Sequence, residues 1–175
     1  RRLVDEHVAI PYLLGHRPEI EAFAAQLGVS LDGVEVRDPQ FDLHVQEFVE
    51  ELVHIRGDKG VDAAKAKKIL QDKKYFAAMM VRMNHADGCV TGATHPTSET
   101  IRPAVQIIKT KGDVSVASSY FIMTKGDHTL FFADCGFVVD PDAGQLGDIA
   151  IATAESASSF GVDPRVALLS FSTHG

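Results

Sequence analysis

The strongest constraint on this chain is its alternation of short apolar runs with amphipathic stretches, separated by glycine, proline or aspartate turns. Ile10 to Leu14 has strand length and is closed by Gly15-His16. Pro18 to Leu27 opens like a helix, with Pro18 and Glu19 in its first turn and Gly28 as its stop. Val34 to Val36 is a short strand that ends at Asp38-Pro39, and Asp42 is placed to cap a helix through Ile55. In that helix Val45, Phe48, Val49 and Leu52 share one face. Asp62 opens a helix to Leu70, and another runs from Lys73 or Lys74 to about Asn84. Asp87 to Val90 reads as a strand, followed by a helix from Thr97 to Ile108 with Pro103 in or near its first turn. Val114 to Met123 and Thr129 to Ala133 read as a hairpin turning at Lys125-Gly126-Asp127. A long helix follows from Ala143 to Phe160, then a last strand from Val166 to Phe171. Strands alternating with helices in this way predict an α/β fold.

The 175 residues suit one domain or parts of two, and a change in the alternation near residues 109–113 predicts a division into 1–110 and 111–175. Seventeen Lys and Arg against 24 Asp and Glu leave a net charge of −7, which disfavours nucleic acid as a partner. An acidic chain that handles an anion must gather its few cations locally. Cys89 and Cys135 form no CxxC pair, a usage that fits a reducing cytoplasm better than a disulfide framework or a zinc site. No apolar run is long enough to cross a bilayer, and no signal-peptide core follows Arg1-Arg2. Both ends read as cut: Arg1 to His7 resembles a helix tail, and Val166 to Phe171 a strand with no covering helix. The chain is therefore expected to be a piece of a longer one.

The stretch from Asp87 to Pro103 carries the most chemical information. A glycine-containing turn, Thr91-Gly92-Ala93-Thr94-His95-Pro96, leads into a helix that starts with Thr97-Ser98-Glu99-Thr100 and carries Arg102. First-turn N–H groups lack intrahelical partners and favour anions. The hydroxyls of Thr97, Ser98 and Thr100 and the forked guanidinium of Arg102 would complete a phosphate site. The same hydroxyls are also ordinary helix caps. A second cation, Arg56, stands in Arg56-Gly57-Asp58-Lys59-Gly60, where a basic residue near a helix C-terminus has a purely structural use as well. No Walker or GxGxxG pattern occurs.

Asp134-Cys135-Gly136 follows an apolar strand, a place where α/β proteins put active-site loops. Cys135 has no base beside it in sequence, and free cysteines commonly serve as small buried apolar groups. Asp140 and Asp142 flank Pro141 and read as turn formers or caps. The eight histidines are scattered, and no metal site is predicted.

These residues resemble the phosphate acetyltransferase and phosphate butyryltransferase family. The resemblance is carried by Ala86 to Lys109, by Phe132-Ala-Asp-Cys-Gly136 and Asp140-Pro141, and by Gln145 to Ile151 and Val166 to Thr173. Arg56-x-x-Lys59-Gly60 matches a further family segment, and the acetyl-transferring branch fits better than the butyryl one. Thr91 stands where serine is usual, Pro96 replaces a hydroxyl residue and Glu99 replaces aspartate. Pro96 removes one phosphate contact.

The resemblance implies a three-layer α/β/α architecture similar to isocitrate and isopropylmalate dehydrogenases, with the active site between two domains. It implies a cytoplasmic homodimer that moves acetyl between acetyl phosphate and coenzyme A, releasing or consuming inorganic phosphate. Coenzyme A is then a substrate, and neither cofactor nor metal is implied. Arg56, Thr97, Thr100 and Arg102 take positions associated with the phosphate or acyl-phosphate site, Arg102 and Arg56 as the catalytic cations. The family's base, an aspartate with an accompanying serine and arginine, falls in a segment C-terminal to Gly175, so these 175 residues alone are expected to be inactive. A related non-catalytic module that senses acetyl-CoA is the main rival. A dehydrogenase rests on fold analogy alone.

Overall fold

The computed structural model describes residues 1–110 and 116–169, and these group into two compact units that divide after Lys109. Unit 1 begins with a short helix, α1 (Arg2–Asp5), and then forms a βαβ element. Strand β1 (Tyr12–Leu14) and strand β2 (Glu35–Arg37) pair in parallel, Leu13 opposite Val36, and helix α2 (Arg17–Gln26) is the crossover. A parallel pair requires such a crossover because a tight turn would reverse the chain.

Four further helices complete the unit: α3 (Val45–Arg56), α4 (Ala63–Ile69), α5 (Lys73–Arg82) and α6 (Thr97–Pro103). A 3-10 turn, Gly57–Lys59, follows α3 and ends at Gly60, whose φ of 73° suits glycine. The helices share one sealed core. Phe48, Leu52, Leu70, Phe76, Met79 and Ile107 are almost wholly excluded from solvent. The rings of Phe48 and Phe76 lie 5.1 Å apart at 59°, a tilted aromatic pair that joins α3 to α5.

The described part of unit 2 is a hairpin and a helix. Strand β3 (Tyr120–Lys125) pairs antiparallel with β4 (His128–Ala133), Lys125 opposite His128. Gly126 (φ 58°) takes the first loop position, where a two-residue hairpin turn favours glycine. Helix α7 (Ala143–Ser159) opens with a capping box in which Asp142 accepts the Gln145 N–H and Gln145 accepts the Asp142 N–H. It ends before Gly161, at φ 77°. Among the described residues, no helix is long and apolar enough to cross a membrane.

Several expectations need correction. Asp87 to Val90 is not a strand, and Val90 is fully exposed. A strand needs a hydrogen-bonded neighbour, and no described strand pairs with this run. Asp42 does not cap α3: His44 holds the cap position, and Asp42 instead accepts the His44 N–H at 2.9 Å in the preceding turn. Pro103 ends α6 rather than opening it. Lacking an N–H, it cannot continue the ladder, and the chain widens into a π-helical turn over Ala104–Ile108. Residues 116–119 and 166–169 are not strand, while Val114, Ser115, Ser170 and Phe171 of the expected strands lie outside the described residues.

Phe76→Ala should cost about 3–5 kcal/mol in urea denaturation, because a rigid core cannot close over the lost ring. Leu27→Ala, at an exposed position, should stay within about 0.5 kcal/mol.

Candidate active site

The candidate site in unit 1 is built from three helices. Arg56 is the last residue of α3, Arg102 lies in the final turn of α6, and Tyr75 sits in the first turn of α5. Burial pushes the Tyr75 phenol above its ordinary value, while Arg102 and then Arg56 pull it back. Asp72 adds to the rise and Lys74 opposes it. Both guanidinium groups therefore lie within electrostatic reach of one hydroxyl. That hydroxyl donates to Gln106 Oε1 at 2.9 Å, tying α5 to the π-helical turn behind Arg102.

What separates Arg56 and Arg102 from the other arginines of the unit is the lack of a carboxylate. Arg1 pairs with Asp5, Arg2 with Glu6, Arg17 with Glu21, Arg37 with Glu35 and Asp42, and Arg82 with Glu51. Neither Arg56 nor Arg102 forms an ion pair with a described residue. In a chain of net charge −7, two such cations around one phenol make a local anion-attracting patch.

The hydroxyls divide. Thr97 and Ser98 are exposed at the start of α6 and bond to no described residue, and Ser98 is four residues from Arg102, on the same helical face. Thr100 is committed to its own helix: its hydroxyl donates to the Pro96 carbonyl at 3.2 Å, the back-bond a threonine makes to the carbonyl four residues earlier, rather than accepting an N–H as a cap would. It also packs on the preceding loop, where a side chain at Gly92 (φ 105°) would come 3.2 Å from the Thr100 methyl. Gly92 thus lets the loop approach the helix. Tyr75 gave no sign in the sequence, because only the fold brings it within electrostatic reach of both arginines.

Directly after β1, Gly15 (φ 153°) leaves room for the Lys73 ammonium, which a Cβ there would meet at 3.0 Å.

In unit 2 the Asp134 loop is a carboxylate nest. Its Oδ1 accepts the Ser119 N–H at 2.7 Å and the Ser119 hydroxyl at 3.0 Å. Its Oδ2 accepts the N–H groups of Gly136, Phe137 and Val138 at 3.1, 2.7 and 2.8 Å. Burial alone would raise its pKa, but the bonds from Val138, Ser119 and Phe137 outweigh burial and lower it from 3.8 to about 2. Cys135 Sγ lies 3.1 Å from Ser119 Oγ, and no basic group is recorded beside it among the described residues. Asp142 serves as the helix cap described above, as its sequence context predicts.

A model of the phosphate acetyl/butaryl transferase family matches residues 1–175. A phosphate acetyltransferase of Bacillus subtilis (strain 168) is 42% identical over 174 residues, which cover 99% of this chain and 54% of that protein. One from Corynebacterium glutamicum is 40% identical over 172 residues, 98% of this chain and 52% of that protein. Among solved structures, a phosphotransacetylase from Streptococcus pyogenes matches with a TM-score of 0.88 at 39% identity, over 99% of this chain and 53% of that one. The chain thus spans about half the length of these relatives.

Because folding lowers the Asp134 pKa, its stabilising contribution is complete above 3.8 and is lost as pH falls through about 2. Asp134→Asn should therefore be less stable than the parent at neutral pH, with the gap closing across that acid window in urea denaturation series.

Proposed function

Since the chain belongs to the phosphate acetyl/butaryl transferase family along its whole sequence, we propose that the whole protein transfers acetyl reversibly between acetyl phosphate and coenzyme A. The single observation that carries this reading is the pair of guanidinium groups, Arg56 and Arg102, both within electrostatic reach of Tyr75 and in no ion pair with a described residue. In the forward reaction the coenzyme A thiol, as thiolate, attacks the acetyl carbonyl and phosphate departs. Charge accumulates on the departing phosphate, and forked, permanently charged donors fixed before the reaction stabilise it. Arg102 and Arg56 are assigned that role, with Thr97, Ser98 and Thr100 as supporting phosphate ligands. Thr100 would have to give up its bond to the Pro96 carbonyl to donate. Coenzyme A brings its own nucleophile, so Cys135 has no part in the reading.

Relatives named phosphate acetyltransferase at 40–42% identity favour acetyl over butyryl as the group transferred. The finer architecture belongs to the same proposal: residues 1–110 and 111–175 as parts of two α/β domains, in a three-layer α/β/α fold of the isocitrate and isopropylmalate dehydrogenase kind. The reading includes a cytoplasmic homodimer.

The test is the rate of acetyl-CoA formation by the whole protein, followed through the thioester absorbance. Arg102→Ala should lower kcat/KM for acetyl phosphate by about 100- to 1,000-fold. Arg102→Lys should recover only part of the loss, because an ammonium cannot bind two phosphate oxygens in a fork. Arg56→Ala should act in the same direction. Rates within a factor of about two of the parent in both alanine variants would refute the site, since each change is far larger than a surface effect of this size.

A further inference from the structure

A second cluster of functional groups lies in unit 1, on the side of α3 where it meets the turn after α5. His44 and Glu47 are three residues apart at the start of α3, a spacing that puts both side chains on one face. His85 arrives from a distant part of the sequence, just beyond α5. His44 Nδ1 lies 3.3 Å from Glu47 Oε2, and His85 Nε2 lies 3.6 Å from the same oxygen. The imidazole rings are 4.3 Å apart, and one ligand atom from each of the three residues falls within 4.8 Å of the others.

We propose that His44, Glu47 and His85 form a zinc site that staples the start of α3 to the end of α5. Zinc bonds to histidine nitrogen and carboxylate oxygen are about 2.0–2.2 Å long, which in a tetrahedral shell separates ligand atoms by roughly 3.3–3.5 Å. The separations from Glu47, 3.3 and 3.6 Å, fall within about 0.1 Å of that spacing, and the nitrogen-to-nitrogen separation, at most 4.8 Å, would close by side-chain rotation as an ion enters. Two nitrogens and one carboxylate oxygen make a three-ligand set with a fourth position for water. Calcium asks for six or more oxygens, and no thiolate is present to favour a softer ion.

The ligands are held before any ion arrives. The buried Phe48 ring has His44 stacked at 6.1 Å and His85 edge-on at 5.3 Å. The His44 backbone is fixed by its N–H bond to Asp42, and the His85 N–H donates to the Met80 carbonyl at 2.8 Å. Arg82, the cation in the last turn of α5, is committed to Glu51 and to the Ile107 carbonyl. That leaves the two imidazoles as the only described ion-pair partners of Glu47. All three side chains keep solvent access, with relative exposures of 26%, 49% and 22%, so an ion and its water can reach them. The acetyl transfer proposed above does not call on this site.

Zinc chloride titrated into the chelator-treated, desalted chain, read by calorimetry and by thermal unfolding, tests the assignment. The parent should bind one zinc per chain saturably and unfold at a higher temperature with zinc than without. His44→Gln, Glu47→Gln and His85→Gln should each weaken binding by at least about tenfold and remove the thermal shift. Glu47→Gln is the decisive variant, because its half-exposed side chain can change without disturbing the core. Replacing zinc with cobalt should give the intense visible bands of a tetrahedral ion in the parent only. Absence of saturable binding, or binding equal to the parent in all three variants, would overturn the site. Full-strength binding by Glu47→Gln alone would overturn the three-ligand assignment.

Discussion

The contact between Phe48 and Phe76 is the joint on which unit 1 turns. It locks α3 against α5, with Met79, Leu52, Leu70 and Ile107 closing the same core. Because the interior is packed at crystal-like density, these helices have little freedom to slide. Arg56 at the end of α3 and Arg102 beside the core residues Pro103 and Ile107 are therefore positioned by apolar contacts rather than by bonds of their own. The guanidinium groups stay available to an anion because the core, and not a carboxylate, holds them in place.

On the proposed reading, that arrangement is how an acidic chain attracts phosphate. Several of its exposed arginines are paired along helices, as Arg1 with Asp5 and Arg17 with Glu21. Such exposed pairs add little stability. They leave Arg56 and Arg102 as the arginines of unit 1 that form no ion pair with a described residue. The Tyr75 phenol, within electrostatic reach of both, is neutral and anchored to Gln106, so it adds no charge that would cancel theirs.

How much was readable in advance follows the range of the interaction. Asp62 and Asp142 were identifiable as caps because cap chemistry is settled within four residues, and both accept the expected N–H groups. The Gly126 hairpin and the parallel pair β1–β2 were legible for the same reason: turn residues and a crossover of helical length. The run from Asp87 to Val90 has strand composition, yet pairing is a nonlocal event, and it stays unpaired among the described residues. Asp42 failed as a cap because a local turn took its carboxylate first. For the site, Arg56 and the residues from Thr97 to Arg102 stood out, whereas Tyr75, and the meeting of His44 with His85, depend on contacts between helices distant in sequence.

The wide turn after Pro103 has a consequence for how this segment can vary. Between the exposed Arg102 and the sealed Ile107 the turn holds one residue more than an α-helical turn would. Removing that residue and closing the turn from i to i+4 would leave the two positions in nearly the same angular relation. The segment thus accepts a one-residue change of length, as well as side-chain changes at its exposed positions, without moving the core contact.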